Sequence, residues 1–230
     1  MTMQVAMFGT DGLLLASDMR VMKQGLGVRG DYSASKIVIN YERGIAISCA
    51  QDMVLAKRVA KAVISDLKES DREYPIAAIE KITARIVEGI DRKRVECLIV
   101  FSEPSARPFA RLFYLQLGLV DSDAHCDQVK RGSVEAGDGE NPAIFWRKRY
   151  YRKTPIRSLA PLAAHLILSA QKLNNAAIGG GLEMLLSDKA GLFHLDDNSV
   201  NALEEASASW DKRIGGLFAG HKQRFTFSQT

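Results

Sequence analysis

The second residue of the chain is a threonine whose position could make it a nucleophile. Aminopeptidase normally removes an initiator methionine that precedes a small residue, and here Met1 precedes Thr2. Its removal would leave a free α-amino group and a side-chain hydroxyl on one residue. In an N-terminal nucleophile the hydroxyl attacks a carbonyl and the amine accepts its proton. The sequence therefore suggests amide hydrolysis by Thr2; the alternative is that Thr2 is an ordinary strand residue.

The chain around Thr2 alternates short apolar runs with turns. Residues 1–8 and 13–18 flank a Gly-Thr-Asp-Gly turn and predict a β-hairpin. The polar, glycine-containing residues 23–33 are interpreted as a surface loop. Residues 36–40 and 45–50 predict two further strands joined by a turn. Strands joined as hairpins indicate a sheet that is at least partly antiparallel.

Beyond residue 50 the apolar period changes from that of strands to that of helices. Asp52 is a plausible N-cap for the first helix, and Pro75 takes the first position of the second. Strands, two helices, a hairpin and a last helix follow. We find no linker and no internal repeat, so we predict a single domain over residues 1–230. Its predicted class is α+β, with two antiparallel sheets face to face and helix pairs outside.

The composition is that of an ordinary globular protein, with 47% hydrophobic and 25% charged residues. A net charge of +4 is too small to indicate which class of partner the protein binds. No apolar run is long enough to span a bilayer, and no basic region of a signal peptide precedes Gln4, so we expect a cytoplasmic protein. Cys49, Cys97 and Cys126 lack metal-ligand or disulfide spacing, so we expect reduced thiols, no metal and no cofactor.

The opening fifty residues and the order of elements resemble the β-type subunits of the proteasome family, which are N-terminal nucleophile hydrolases. The relatives include bacterial proteasome-like peptidases, one of which works with an ATP-driven unfoldase. The apolar strand that ends at Asp18 resembles the family's second strand, and its distance from Thr2 is the family's distance. Ser35-Lys36-Ile37, followed by a strand, resembles the family's lysine strand.

The resemblance implies a four-layer αββα sandwich and a threonine peptidase. Thr2 would be the nucleophile, Lys36 would lie beside its hydroxyl, and Asp18 would pair with Lys36. A buried lysine needs a carboxylate partner, and the pair would provide a fixed field at a developing alkoxide. The resemblance also implies a homo-oligomeric ring, a peptide or unfolded-protein substrate, and an unfoldase as a possible partner.

The sequence departs from the family's pattern around the predicted site. Cys49, or Ser48 in a shifted register, stands where the family has the glycine whose N–H faces the oxyanion. Asp138 and Glu140 replace two serines of a turn near the nucleophile, and Asn175 replaces a supporting aspartate. Supporting groups hold the reacting groups in place, so such changes could remove activity. The alternative function is therefore a catalytically inactive scaffold or assembly subunit with the same fold.

A basic and aromatic segment over residues 145–153 provides a third hypothesis. Five basic residues alternate there with four aromatic residues, a mixture that binds nucleic acid through phosphates and stacked bases. We favour a helix with an aromatic inner face and a basic outer face, because the net charge is mild. Neither nucleic acid nor a membrane is therefore expected as a partner.

Overall fold

A computed structural model of the chain describes residues 2–25, 28–90, 94–118, 123–174 and 176–221, with side chains described outside 23–30 and 217–221. In chain order, the strands are β1 (Met3–Phe8), β2 (Gly12–Asp18), β3 (Arg20–Gly25), β4 (Val28–Ser33), β5 (Ile37–Asn40), β6 (Ile45–Gln51), β7 (Val95–Ser102), β8 (Ala110–Leu117), β9 (Ala124–Val129), β10 (Ser133–Gly137), β11 (Leu182–Asp188) and β12 (Gly191–His194). The helices are α1 (Met53–Asp66), α2 (Ile76–Val87), α3 (Ile144–Tyr150), α4 (Ile156–Leu173) and α5 (Asp197–His221).

The strands of the described ranges form three antiparallel sheets. The first large sheet has the order β10-β1-β2-β11-β12, and the second large sheet has the order β5-β6-β7-β8-β9. The small sheet is the hairpin β3-β4. In the first large sheet, Ser17 of β2 lies between Gln4 of β1 on one side and Glu183 of β11 on the other. Both ends of the chain therefore contribute strands that flank β2.

Apolar side chains form three clusters that hold these sheets and helices together. One cluster joins α1 and α2 to the second large sheet, and it includes Val59 and Ile79. Another joins α4 to β1, β2 and β11 through residues such as Leu166. The third joins the two large sheets, for example through Leu15 and Leu98. Burial of these side chains is the main favourable contribution to folding.

Local sequence signals explain several of the element boundaries. Asp52 caps α1, since its Oδ1 accepts hydrogen bonds from Val54 N–H at 3.1 Å and Leu55 N–H at 3.0 Å. Pro75 directly precedes α2, as its fixed φ and missing N–H favour. The predicted N-cap at Asp52 is confirmed, while α2 begins one residue later than predicted, at Ile76. No helix of the described residues is both long and apolar enough to cross a membrane.

The predicted four-layer αββα sandwich, with two sheets and flanking helix pairs, is wrong. The described chain forms three sheets instead of two, and its five helices do not divide into pairs. Whereas α1 and α2 contact each other, α4 contacts both α3 and α5. The additional sheet accounts for much of the error, because the residue types over 23–33 predict a loop.

The small sheet forms where a polar and glycine-containing sequence suggests no regular structure. Tyr32 lies opposite Val21, and the register continues to Val28 opposite Gly25. The base of this hairpin is held by a segment far away in the sequence: Met19 N–H and Arg20 N–H both donate to Gly179 O, at 2.9 and 2.6 Å. Long-range hydrogen bonds therefore stabilise a hairpin whose own residues predict a loop.

Candidate active site

The side chains of Thr2, Asp18 and Lys36 meet inside the protein. Lys36 Nζ donates to Thr2 Oγ1 at 2.9 Å and to Asp18 Oδ1 at 2.8 Å. The side chains of Asp18 and Lys36 are fully buried, and Thr2 is 4% exposed. The ammonium group therefore lies within hydrogen-bond distance of both the hydroxyl and the carboxylate.

Neighbouring strand ends bring these three groups together. Thr2 directly precedes β1 and Asp18 ends β2, so the opening hairpin places them side by side. Lys36 precedes β5 in the second large sheet, which packs against the first through the apolar cluster between them. The lysine thus reaches the threonine only because the two large sheets stack.

Three donors hold the Asp18 carboxylate in place. Its Oδ1 accepts from Lys36 Nζ and from Met3 N–H, the latter at 2.9 Å, while Oδ2 accepts from Gly179 N–H at 3.1 Å. Hydrogen bonds to a carboxylate favour its ionised form. Asp18 is therefore held in a fixed orientation in which it can orient the Lys36 ammonium group.

The electrostatic environment of Lys36 has opposing contributions. Burial lowers the pKa of its ammonium group below the ordinary 10.5, and the charge of Asp18 offsets part of that decrease. The positive charges of Lys57 and Arg20 lower the pKa further. A lysine with a lowered pKa can release its proton more readily, which is a property of lysines that take part in acid–base chemistry.

Glu183, which the sequence predicts only as a strand residue, supports the backbone of Lys36. Its Oε2 accepts from Lys36 N–H at 3.1 Å, and its Oε1 accepts from Ser35 Oγ at 2.6 Å. Glu183 is 7% exposed and lies on β11 in the opposite large sheet. A lone acidic residue in the apolar run Leu-Glu-Met-Leu-Leu was the available signal, because buried charges normally have partners.

The turn after β10 holds the backbone of Thr2. Asp138 N–H donates to Thr2 O at 2.8 Å, whereas the Asp138 carboxylate accepts from Asn141 Nδ2 at 3.0 Å. A Cβ at Gly137 would lie 2.0 Å from Thr2 O, so only glycine allows this approach. Asp138 therefore lies next to Thr2 through its main chain, and Glu140 of the same turn is exposed.

A second buried acid, Glu96 on β7, supports that turn. Its Oε2 accepts from Gly137 N–H and from Gln51 Nε2, each at 2.9 Å, and Tyr114 donates its hydroxyl to Oε1. Gln51 is the one non-glycine residue of the described chain with a positive φ, at 69°. Such a conformation is uncommon outside glycine and occurs often near functional sites.

The remaining predicted site residues differ from the expected arrangement. The N–H of Cys49 donates to Lys36 O at 2.9 Å within the second large sheet, and its proposed role as an oxyanion donor stays a prediction. In the shifted register, Ser48 donates its hydroxyl to Gln4 Oε1 at 2.8 Å. Asn175 lies outside the described residues. Supporting roles for Asp138 and Asn175 stay predictions.

The basic aromatic segment forms α3 and the chain that follows it. Trp146 packs against the cluster beneath α4, while Phe145 is 57% exposed. Arg147 pairs with Glu135 at 2.6 Å and does not extend freely into solvent. Over the described ranges, no group of three or more His, Cys, Asp or Glu side chains could hold a metal ion.

Comparison with known proteins identifies similar structures and no sequence relatives. No protein-family model and no curated protein matches the chain. "Anbu (ancestral beta-subunit)" from Yersinia bercovieri superposes with a TM-score of 0.72 at 12% identity, covering 99% of this chain and 100% of that one. An "Anbu (Gly-1) mutant" from Hyphomicrobium sp. strain MC1 gives a TM-score of 0.71 at 12% identity, with complete coverage of both chains.

These comparisons correct the family assignment made from the opening motif. Assignment to the β-type proteasome subunits is wrong at the level of sequence, since no family model supports it. The similar structures are Anbu proteins, one of which is described as an ancestral β-subunit. At 12% identity the likeness shows a shared fold and leaves activity to be argued from this chain's own residues.

Proposed function

We propose that this chain is a threonine-type amide hydrolase that cleaves peptide bonds, with Thr2 Oγ1 as its nucleophile after removal of Met1. The observation that carries the proposal is the buried Lys36 Nζ, which bridges Thr2 Oγ1 at 2.9 Å and Asp18 Oδ1 at 2.8 Å. A nucleophilic hydroxyl needs an activating group within hydrogen-bond distance, and that group needs a partner that orients it.

In the proposed reaction, Thr2 Oγ1 attacks the carbonyl carbon of a peptide bond and its proton passes to the α-amino group of Thr2. Nζ of Lys36 stabilises the negative charge that develops on Oγ1 during attack. The α-amino group then protonates the leaving amine as the C–N bond breaks, which leaves an ester on Thr2. Water attacks that ester, the acid product departs, and the hydroxyl of Thr2 is restored.

The properties of Lys36 support this use of the site. Its Nζ lies 2.9 Å from Oγ1, where a positive charge stabilises the oxygen as the hydroxyl loses its proton to the α-amino group. Asp18 is held by Met3 and Gly179 as well as by Lys36, so it can keep Nζ in position while protons move. The chemistry uses protein groups and water, and no cofactor is part of the proposal.

Peptides or unfolded chains are the proposed substrates, because Thr2 is nearly buried and an extended segment reaches a narrow site more easily than a folded surface. A homo-oligomeric ring and an ATP-driven unfoldase partner stay predictions of the same proposal. A cytoplasmic location also stays a prediction. The three described cysteines are buried and form no disulfide, which is consistent with a reducing compartment.

The first test of the proposal is the mass of the purified protein together with active-site labelling. We expect an intact mass without Met1, and covalent labelling of Thr2 by a peptide epoxyketone or boronate. Thr2→Ala should lower peptide hydrolysis by a factor of about 10³ or more, as loss of a nucleophile does. Thr2→Ser, which keeps the hydroxyl, should retain labelling.

The Lys36→Met variant tests the activating role separately from the nucleophile. It keeps Thr2 but should lose labelling and hydrolysis, while circular dichroism reports whether it is folded. A folded Lys36→Met protein that is labelled as fast as the wild type would refute the proposed mechanism. Labelling at a residue other than Thr2 would refute the assignment of the nucleophile.

The second candidate function is a catalytically inactive scaffold or assembly subunit. One observation favours it: the N–H of Cys49, expected to bind the oxyanion, is already used by Lys36 O. Retention of Met1 in the intact protein, with no labelling by any of the probes, would favour this candidate. Sedimentation velocity would then show whether the chain assembles without being an enzyme.

A further inference from the structure

A cavity of about 610 Å³ opens between α3, α4 and α5, on the side of the first large sheet that α4 covers. Its walls are mainly aromatic and aliphatic, and include Trp146, Leu162, Trp210 and Ile214. Ligand pockets for drug-sized molecules have volumes of about 300–1,000 Å³ and similar walls. The cavity is therefore large enough for a small organic molecule, and the proposed hydrolase chemistry does not use it.

Ring contacts fix the aromatic walls. Trp146 stacks on Tyr150 with ring centroids 5.7 Å apart, and its edge contacts the His165 ring at 4.7 Å. His165 also contacts the Trp210 ring at 5.5 Å. These contacts join α3, α4 and α5 through one row of rings. A row held in this way is a preformed surface on which a flat apolar group can stack.

Two arginines give one side of the cavity a positive charge. Arg152 and Arg213 both line it, and both are exposed. Among the described residues neither guanidinium group pairs with a carboxylate; Arg152 donates only to backbone carbonyls, at 2.7 Å to Tyr151 O and at 3.4 Å to Arg149 O. Planar guanidinium groups bind carboxylate and sulfonate oxygens with two parallel hydrogen bonds.

His165 lines the cavity and carries one buried ring nitrogen without a hydrogen-bond partner among the described residues. The residue is 2% exposed, and its Nδ1 shares a hydrogen bond with Ser207 Oγ at 2.8 Å. Its Nε2 is buried without a hydrogen-bond partner in the described structure. The nearest carboxylate oxygen, Asp211 Oδ1, is 3.8 Å away, and Lys172 already pairs with Asp211. Because almost none of the surface of this nitrogen is accessible, His165 contributes its ring to the wall and no hydrogen bond to a ligand.

We propose that this cavity is a binding site for a small amphipathic anion, with an aromatic or bulky apolar body and one carboxylate or sulfonate group. The apolar body lies against Trp146 and Trp210. The anionic group binds Arg152 and Arg213. The size and apolar lining exclude simple inorganic anions as good ligands, and the two arginines without a carboxylate partner among the described residues favour an anion over a neutral molecule.

The two tryptophans of the chain provide a direct measurement, because both of them line the cavity. We would titrate the full chain with anilinonaphthalene sulfonate and with uncharged N-phenylnaphthylamine, which has the same rings without the sulfonate. Binding in the cavity should quench tryptophan emission saturably and transfer its energy to the probe. We expect the sulfonate to bind at least about tenfold more tightly than the neutral probe.

Variants distinguish binding at the anion site from non-specific hydrophobic binding of the probes. The double variant Arg152→Met/Arg213→Met changes two exposed side chains, so it should fold normally and weaken binding of the sulfonate at least about tenfold without changing binding of the neutral probe. Arg157→Met is the matched control, because Arg157 is an exposed arginine on α4, which forms one wall of the cavity, but does not itself line the cavity. It should bind both probes as the wild type does.

Three outcomes would overturn the proposal. One is the absence of saturable quenching. Another is equal binding of the two probes by wild type and double variant, which would show an apolar surface without an anion site. The third is loss of probe binding as the protein self-associates in sedimentation velocity, which would show that a second copy covers the cavity. Displacement of the sulfonate by aromatic carboxylates would support the proposal and identify the ligand class.

Discussion

Lys36 has no exposed surface, and its charge depends on one carboxylate for compensation. Removing one partner of a buried ion pair leaves the other without compensation, which costs more than the pair itself contributes. The other two donors to Asp18, Met3 N–H and Gly179 N–H, are backbone groups that remain after any substitution. The stability of this region should therefore respond more strongly to the charge of Asp18 than to its shape.

The first prediction concerns Asp18→Asn. We expect it to lower the free energy of unfolding by about 3 kcal/mol at neutral pH, measured by urea denaturation, since Lys36 is left buried without a counter-charge. Asp31→Asn is the matched control, because Asp31 also pairs with a cation, Arg20, but its side chain is 59% exposed. The control should cost less than about 1 kcal/mol. Equal costs would contradict this explanation.

The second prediction concerns pH. Burial lowers the pKa of Lys36 in the folded state below 10.5, so between that lowered pKa and 10.5 the unfolded chain binds more protons than the folded one. The free energy of unfolding contributed by Lys36 therefore rises with pH in this window and is constant below it.

The double variant Lys36→Met/Asp18→Asn removes both charges, so its free energy of unfolding should lack the rise with pH that Lys36 contributes. Burial also raises the pKa of Tyr114, with a further contribution from Glu96, and this lowers stability at high pH in both proteins. The difference between wild type and double variant in urea titrations therefore isolates Lys36. A stability difference that falls as pH rises would show that burial does not lower the pKa of Lys36.

At the scale of elements, helix ends and hairpins depend on a few specific contacts. The third prediction is that Asp52→Ala destabilises the protein by about 1 kcal/mol, because the first N–H groups of α1 lose the Asp52 carboxylate as acceptor. Lys61→Ala, on the exposed face of the same helix, should change stability by less than about 0.5 kcal/mol. Thermal or urea unfolding of the two variants provides the measurement.

The small sheet depends on Gly180. This residue has a φ of 77°, and an added Cβ would lie 2.9 Å from Arg20 N and 2.8 Å from Ser33 Oγ. The fourth prediction is that Gly180→Ala costs about 3 kcal/mol of unfolding free energy, combining the cost of left-handed backbone with a clash. Gly132→Ala is its control: φ is 88° but no atom lies within 4 Å, so it should cost about 1 kcal/mol.

At the scale of the whole molecule, Gln4 adds a buried polar connection between the two large sheets to their apolar contacts and to the contacts of Glu96 and Glu183. Gln4 on β1 donates its Nε2 to Cys49 O at 2.5 Å, and its Oε1 accepts from Ser48 Oγ at 2.8 Å. Gln4 is fully buried. Because this side chain lies two residues from Thr2, it fixes the distance between the nucleophile and the second large sheet.

The fifth prediction tests that connection with a double-mutant cycle. Gln4→Leu should cost about 2 kcal/mol, because it leaves the Ser48 hydroxyl and the Cys49 carbonyl without a partner. Adding Ser48→Ala removes one of those groups and should recover part of the loss, with a coupling of about 1 kcal/mol. Strictly additive free energies of unfolding would show that the two side chains do not interact.

Local patterns in the sequence predict the elements whose stability comes from nearby residues. The opening hairpin and the helix starts near Asp52 and Pro75 follow from turn residues, caps and apolar period, and the structure has them. The assignment of Thr2, Asp18 and Lys36 as site residues rests on the family resemblance of the first fifty residues. The predicted fold class is wrong, since the small sheet is held by Gly179, a residue more than 140 positions away.

Only the tertiary structure decided which groups surround the three candidate residues. Glu183 contacts the Lys36 backbone, and Glu96 supports the turn beside Thr2, across separations of 147 and 41 residues. The sequence by itself determined that a hydroxyl, a carboxylate and an amine were available near the start of the chain. Their distances depend on how two sheets stack, which is set by the sum of many apolar contacts between distant segments and by no short stretch of residues.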